Sequence, residues 1–347
     1  MDKIKDIYSV PIQASREVGI EIEMEGVHLL HASTHHWKHT EDGSLRGESA
    51  EYVLRKPIKR NSVGLVLAKL AKALKDNEAK LSPSERCGVH IHLNCQEMTL
   101  DEVFKFVILY LVFEDILVKF CGKDREGNLF CLRAKDAEGL IVALTRAAAE
   151  KSINYLQQTA FRYSSINLSA LSKYGSIEFR SMRTPKDFGI IETWVKLLLK
   201  VKDAAERFKS SKDIIEIMSA NGPKYLFDTV FGDMGEIISC PNMVFLIKEG
   251  VRRVQDLAYI SSLIDRKKKL NVTEEPEIPQ GRAIRQLRVE NVERLVHERM
   301  MPRTALPFSD TVAVVDTNQI QQITPRVAAW TQLTYDNAAP QDDETTW

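Results

Sequence analysis

The chain lacks the Gly-x-x-x-x-Gly-Lys-Ser/Thr phosphate loop and the Gly-x-Gly-x-x-Gly dinucleotide fingerprint. It has no Gly-x-Ser-x-Gly nucleophile elbow and no HExxH zinc helix. If it handles ATP, it does so through metals held on a sheet. Five cysteines (Cys87, Cys95, Cys121, Cys131, Cys240) form no C-x-x-C pair and are odd in number, which fits free thiols in a reducing cytoplasm. Neither sign of charge is in excess, with 48 acids and 48 bases. Net charge therefore gives no reason to expect nucleic acid or a membrane as the main partner. The start, Met-Asp-Lys-Ile-Lys-Asp, lacks the apolar stretch of a signal peptide. The greasiest run, Val103 to Phe120, is broken by Lys105, Glu114, Asp115 and Lys119 and reads as a buried helix. There is no internal repeat.

What is present is ordinary in bulk: 347 residues, 44% apolar and 28% charged, enough to bury a substantial core. The information lies in four short segments. Gly19-Ile20-Glu21-Ile22-Glu23-Met24-Glu25-Gly26 alternates acid with aliphatic, and Gly88-Val89-His90-Ile91-His92-Leu93-Asn94 alternates imidazole with aliphatic. Ser165-Ile166-Asn167-Leu168-Ser169 and Ser176-Ile177-Glu178-Phe179-Arg180 repeat the pattern. Strand side chains point alternately to opposite faces, so each run has an oily side and a chemical side. Paired in one sheet, the four would back a core against helices. The other face would gather Glu21, Glu23, His90, His92, Asn167, Glu178 and Arg180, a site for divalent metal and phosphate.

Elsewhere, Thr40-Glu41-Asp42-Gly43-Ser44 is a turn, and Glu51 to Leu54 is a short strand ended by Pro57. Helical spacing runs from Ser62 to Asn77, from Asp101 (capped by Thr99) to Phe120, and from Asp136 to Gln157. Strands at 163–170 and 175–182 are joined by a hairpin turn, Ser172-Lys173-Tyr174-Gly175. An amphipathic helix follows Pro185 and Asp187 to about Phe208. Further helices are expected near 211–219, 224–231, 245–262 and 281–299, with a linker at 271–279. The pattern weakens after Pro302, and the last ten or so residues read as disordered. The organisation expected is residues 1–210 as a catalytic domain, 211–300 as a helical extension and 301–347 as a tail.

Each candidate has a plainer reading. Glu21, Glu23 and Glu25 stand about 7 Å apart along one strand face and repel unless cations compensate them. Alone, they fit a solvated acidic edge as well as Mg²⁺ ligation. His90 and His92 share a face and suit metal or phosphate, whereas His28, His31, His35, His36 and His39 are irregularly spaced and read chiefly as loop residues. Glu178 and Arg180 could be a surface ion pair or a metal ligand and a phosphate clamp. Arg162 and Arg183 could serve similarly or be surface charges. The basic run Arg266-Lys267-Lys268-Lys269 and the series Arg282, Arg285, Arg288 read first as a solvated helix face.

The order of these motifs resembles the amidoligase family of phages and bacteria, within the carboxylate–amine ligase superfamily of glutamine synthetase and glutamate–cysteine ligase. The matching segments are Gly19 to Glu23, then Trp37 with Asp42-Gly43-Ser44-Leu45, then Glu51-Tyr52-Val53 with Pro57. They continue with Cys87 to Asn94, Arg162-Tyr163 with Asn167, and Ile177 to Arg180. They span residues 16 to 185, and each is weak alone.

The resemblance implies an α+β fold: a glutamine-synthetase-like curved, mainly antiparallel β-sheet backed by helices, with a mostly helical C-terminal region. It implies ATP and two or three Mg²⁺ ions on the concave face. Carried over, Glu21, Glu23, Glu51, His90 and Glu178 would ligate metal. His92, Asn167, Arg162 and Arg180 would contact the nucleotide. Arg180 would also meet the transferring phosphoryl group, and Asp42 would orient the amine or a metal-bound water and take its proton. The substrates would be a small-molecule or peptide carboxylate and an amine, used in the cytoplasm (a bacterial host's, if phage-encoded). Larger relatives form rings or dimers, which leaves a homo-oligomer open. The rivals are a metal-dependent hydrolase using His90 and His92, and a non-catalytic binding or assembly protein on the same fold.

Overall fold

The structure is a computed structural model that describes residues 2–10, 16–137, 139–156 and 159–269. The expected linker at 271–279, the helix at 281–299 and the tail lie outside the described residues, as do the basic side chains from Arg266 onward.

The strands are β1 Val18–Val27, β2 Trp37–Thr40, β3 Ser49–Leu54, β4 Lys80–Leu81, β5 Gly88–Asn94, β6 Ile166–Asn167 and β7 Ser176–Arg183. They form one sheet in the order β2-β3-β1-β5-β7-β6, with β4 pairing the end of β1. Every pairing is antiparallel. The four segments singled out by alternation are thus adjacent, as expected. Their register puts like with like: Ile20 opposite Ile91, Ile22 opposite Tyr52 and Val89, and Ile91 opposite Phe179. All of these side chains are buried.

The helices are α1 Ile4–Tyr8, α2 Val63–Asp76, α3 Leu100–Cys121, α4 Leu140–Glu150 and α5 Ala170–Tyr174. Then come α6 Gly189–Arg207, α7 Ser211–Asn221, α8 Pro223–Phe231, α9 Gly235–Ile238 and α10 Met243–Lys269. Helix α3 begins where its cap predicts: Thr99 accepts from the Glu102 N–H, and the Glu102 carboxylate accepts from the Thr99 N–H at 2.7 Å. On its sheet side, Tyr110 and Phe106 hold the Phe179 ring at centroid distances of 4.9 and 5.6 Å. Helices α6, α7 and α10 also pack on α3, so it is covered nearly all round, and its apolar character follows from that. Among the described residues, no helix is long and apolar enough to cross a membrane.

Two of the charges that interrupt α3, Glu114 and Asp115, are paired inside. Glu114 accepts from the Ala134 N–H at 2.9 Å and from the Ser165 hydroxyl, and Arg253 of α10 lies 3.3 Å away. Arg253 also meets Asp115 at 2.8 Å, as does Lys135. Burial pushes the Glu114 carboxyl up to about 7 in spite of these donors.

Three expectations need correction. β6 does pair antiparallel with β7, but only Ile166–Asn167 is strand, and residues 170–174 coil into α5 where a tight hairpin turn is expected. The Asn167 side-chain Oδ1 accepts from the Ser169 N–H and hydroxyl, and Leu171 is buried, so the chain turns early. Gly175 then ends α5 in the left-handed region at φ 68°, as a C-terminal glycine does. The helix expected at 136–157 is confined to Leu140–Glu150, preceded by the left-handed Gly139 and followed by a 3-10 turn at Ile153–Leu156. Finally, the sheet is not strongly curled. Its flanking strands β2, β4 and β6 are four, two and two residues long, too short for much roll to accumulate.

Candidate active site

Strand β1 is the axis of the site because it has a neighbour on each side. Glu21 stands opposite His90 of β5, and Glu23 stands opposite Glu51 of β3. One strand further out, Glu178 of β7 is opposite His92 and also opposite Asn167 of β6. Two groups of donors result, each with its ligand atoms within 4.8 Å of one another: Glu21, His90 and Glu178, and Glu23, Asp42 and Glu51.

His90 ties the two groups together. Its Nδ1 lies 3.3 Å from Glu21 Oε2 and 3.5 Å from Glu178 Oε1, and its Nε2 lies 3.7 Å from Glu23 Oε1. His92 Nε2 is 3.4 Å from Glu21 Oε1, while its Nδ1 meets the Ser176 hydroxyl at 3.2 Å. Glu23, Glu178 and His90 are only 5–6% exposed.

Burial opposes ionisation throughout this face, and the neighbours decide the outcome. It raises the Glu23 carboxyl, against the pull of His90 and the Gly88 N–H. It also raises Glu51, with nearby Glu21, Glu23 and Asp42 adding repulsion. For Glu178 burial loses to Arg180 and the two histidines, so the carboxyl falls below its usual range. Glu21 is likewise held well below it by hydrogen bonds from His90 and His92. Asp42 is lowered because the Ser44 hydroxyl and N–H outweigh its partial burial. The His92 ring is raised, its burial outweighed by Glu21 and Glu178.

Supporting groups fix these side chains. Thr40 donates to Glu51 Oε2 at 2.6 Å, the Gly88 N–H to Glu23 Oε2 at 2.8 Å, and the Ser44 N–H to Asp42 Oδ1 at 2.6 Å. Asn167 donates to Glu178 Oε2 at 2.7 Å, and Arg180 pairs with Glu178 Oε1 along the strand. A bulge lies opposite His90, between the pairs Ile91–Phe179 and Val89–Met182. Buried Arg125 holds it, donating to the Arg180 and Ser181 carbonyls at 2.9 and 3.0 Å and to the Glu85 carbonyl at 3.1 Å.

These donors fit a hard divalent cation. One group is all carboxylate and the other has a single imidazole, and the carboxylates share a buried face with few compensating cations. The buried Arg180 Nε makes no hydrogen bond among the described residues, and His92 Nε2 faces the Glu21 carboxylate.

Beside the Glu21–His92 edge opens a cavity of about 390 Å³, bounded by Gly19, Val53, Leu54, Pro57, Lys173, Tyr174 and Ser176. The sequence reading missed Lys173 and Tyr174, which α5 delivers, and Ser176, at the start of β7. It also missed Thr40 and Arg125. Glu25, which continues the acidic face, instead clamps two loops, accepting from the Arg46 N–H at 2.9 Å and the Ser84 N–H at 3.3 Å. Arg162 is exposed with its guanidinium 4.9 Å from the Tyr163 ring centroid, and none of its described contacts reaches the cluster. The five histidines of the 28–39 segment enter neither donor group; His35 packs on His36 and His31 on His39.

A search among curated proteins finds no match. Residues 57–202, which carry β5, β6, β7 and helices α2 to α5, match the family described as "Putative amidoligase enzyme". That family implies a ligase that forms amide bonds and points to ATP and Mg²⁺, in keeping with the carboxylate and histidine groups on the sheet. Over residues 57–202, then, this chain is similar to the amidoligases that its motif order resembles.

Proposed function

We propose that the protein is an ATP- and Mg²⁺-dependent carboxylate–amine ligase that makes an amide or peptide bond through an acyl phosphate. The observation that carries this reading is the meeting of Glu21, His90 and Glu178 with Glu23, Asp42 and Glu51 on one sheet face, with Arg180 against Glu178. Mg²⁺ held by Glu21, Glu23, Glu51, His90 and Glu178 would neutralise phosphate charge and align the phosphoryl group. Arg180 supplies a fork of donors for the γ-phosphoryl oxygens, and its buried Nε has no hydrogen bond to give up. His92 and Asn167 are assigned to the remaining phosphate and nucleotide contacts.

A carboxylate does not condense with an amine unaided, so activation comes first. A carboxylate oxygen of the acid attacks the γ-phosphorus, the bond to the β-phosphate oxygen breaks, and ADP leaves. Positioning and charge neutralisation are what phosphoryl transfer demands of the protein. The amine nitrogen then attacks the acyl carbon and inorganic phosphate departs. Asp42, held ionised by its Ser44 hydrogen bonds, takes the ammonium proton. The cavity beside Glu21 and His92 shelters the acyl phosphate from water. A zinc hydrolase fits less well, because each donor group contains at most one imidazole.

The test is incubation of pooled acids and amines with ATP and Mg²⁺. The expected result is Mg²⁺-dependent ADP and phosphate, with a product whose mass equals acid plus amine less water. Release of AMP and pyrophosphate would contradict the acyl phosphate.

A further inference from the structure

The cavity at Glu21 and His92 has a neighbour beside Leu54 and Pro57. A second groove of about 500 Å³ shares Leu54 and Pro57 with it and is bounded by Arg16, Arg55, Lys56, Ile58, Lys59 and His36. No carboxylate lines this groove. Arg16, Arg55, Lys56 and Lys59 are exposed, and none of them forms an ion pair among the described residues. Arg55 uses its Nε on the Thr34 carbonyl at 3.0 Å, and Arg16 reaches the Pro57 carbonyl at 3.4 Å. Each of these bonds uses one guanidinium nitrogen, and both side chains line the groove. Lys69, nearby, is instead engaged with His36 at 3.1 Å. In a chain whose charges balance overall, such a concentration of one sign is a local feature of this end of β3.

Its position matters as much as its sign. Val53 of β3 stands opposite Glu21, and the strand ends with the next residue, Leu54, which already lines the groove. An extended peptide of about four residues would run from the Glu21–His90–Glu178 group, through the cavity, into the cationic groove. We infer that the acid substrate is an acidic peptide segment: its reacting carboxylate lies at the Glu21 edge and its further carboxylates lie on Arg16, Arg55, Lys56 and Lys59. This assignment rests on the ligase reading above and names its substrate class.

The test separates the two. Fluorescein-labelled hexaglutamate and hexaglutamine peptides are titrated into the full chain without ATP, at low and at physiological salt. Mg²⁺-dependent ADP release is measured separately. The inference expects hexaglutamate to bind at least about tenfold more tightly than hexaglutamine, with the difference shrinking as salt shortens the reach of the charges. Arg55→Glu with Lys56→Glu should lose at least about tenfold in hexaglutamate affinity, and Arg55→Lys with Lys56→Arg should keep the affinity. Equal binding of the two peptides overturns the inference, as does displacement of hexaglutamate by inorganic triphosphate at one equivalent, which would give the groove to the nucleotide. Tighter binding of single-stranded RNA than of hexaglutamate overturns it too. Peptide binding as expected without any ADP release would remove the ligase reading and leave the acidic-peptide groove standing.

Discussion

Nδ1 of His90 lies 3.3 Å from Oε2 of Glu21, directly across the β1–β5 ladder, and the opposite ring nitrogen lies 3.7 Å from Glu23. One imidazole therefore separates carboxylates that belong to two different donor groups. Without it, Glu21, Glu23 and Glu178 would face one another in a buried place. His90→Ala is expected to lower stability without metal by about 1–3 kcal/mol, as when a buried polar partner is removed. Added Mg²⁺ should recover part of that loss. Thermal unfolding with EDTA and with Mg²⁺ checks this; equal losses in the two would show that His90 has no part in balancing these acids.

Arg125 works at one remove. Its three carbonyl contacts hold the bulge from which Arg180 projects. Lysine cannot reproduce that fork. Arg125→Lys should lower kcat about tenfold or more with little change in KM for ATP, at a stability cost of roughly 2 kcal/mol. An unchanged kcat would show that the bulge does not depend on Arg125.

The Thr40 hydroxyl hydrogen-bonds to Glu51, and its 2.6 Å bond fixes how that carboxylate faces Glu23 and Asp42. Loss of such a support commonly weakens metal binding by about tenfold. The Mg²⁺ concentration giving half-maximal ADP release should rise by that factor in Thr40→Val, at unchanged saturating rate. A normal Mg²⁺ requirement would remove Glu51 from the ligand set.

Glu114 makes folding stability depend on pH. Its carboxyl is raised to about 7 in the fold, chiefly by burial. The folded protein thus binds a proton there that the unfolded chain releases at lower pH. The resulting stabilisation is present in acid and is lost as pH rises from the ordinary glutamate range through 7, by about 3 kcal/mol at most. Urea unfolding should show wild type losing this increment between pH 5 and 8 and Glu114→Gln lacking it. Parallel pH profiles would contradict the assignment.

The two-residue alternation made much of the candidate site legible. Glu21, Glu23, His90, His92, Glu178 and Arg180 each sit on the strand face that the aliphatic residues between them require. What it could not convey was which end of an acidic run serves structure. Glu25 satisfies two loop N–H groups, and those loops come from residues 46 and 84, far along the chain. Nor could spacing show that α5 would replace a turn at 170–174, since that depends on the Asn167 side chain capturing Ser169. Glu114 and Asp115 were legible as arguments against a membrane span. Their partner Arg253, 138 residues beyond Asp115, was not. Long-range pairing of that kind has no local signature.

The central claim is that two sets of donors on separate strands act together on a magnesium nucleotide. Calorimetric titration of a non-hydrolysable ATP analogue into the full chain, with Mg²⁺ or with EDTA, tests it most directly. Saturable binding that needs Mg²⁺ and is lost in both Glu23→Gln and Glu178→Gln is the expected result. Binding that persists in EDTA and in both variants would contradict it.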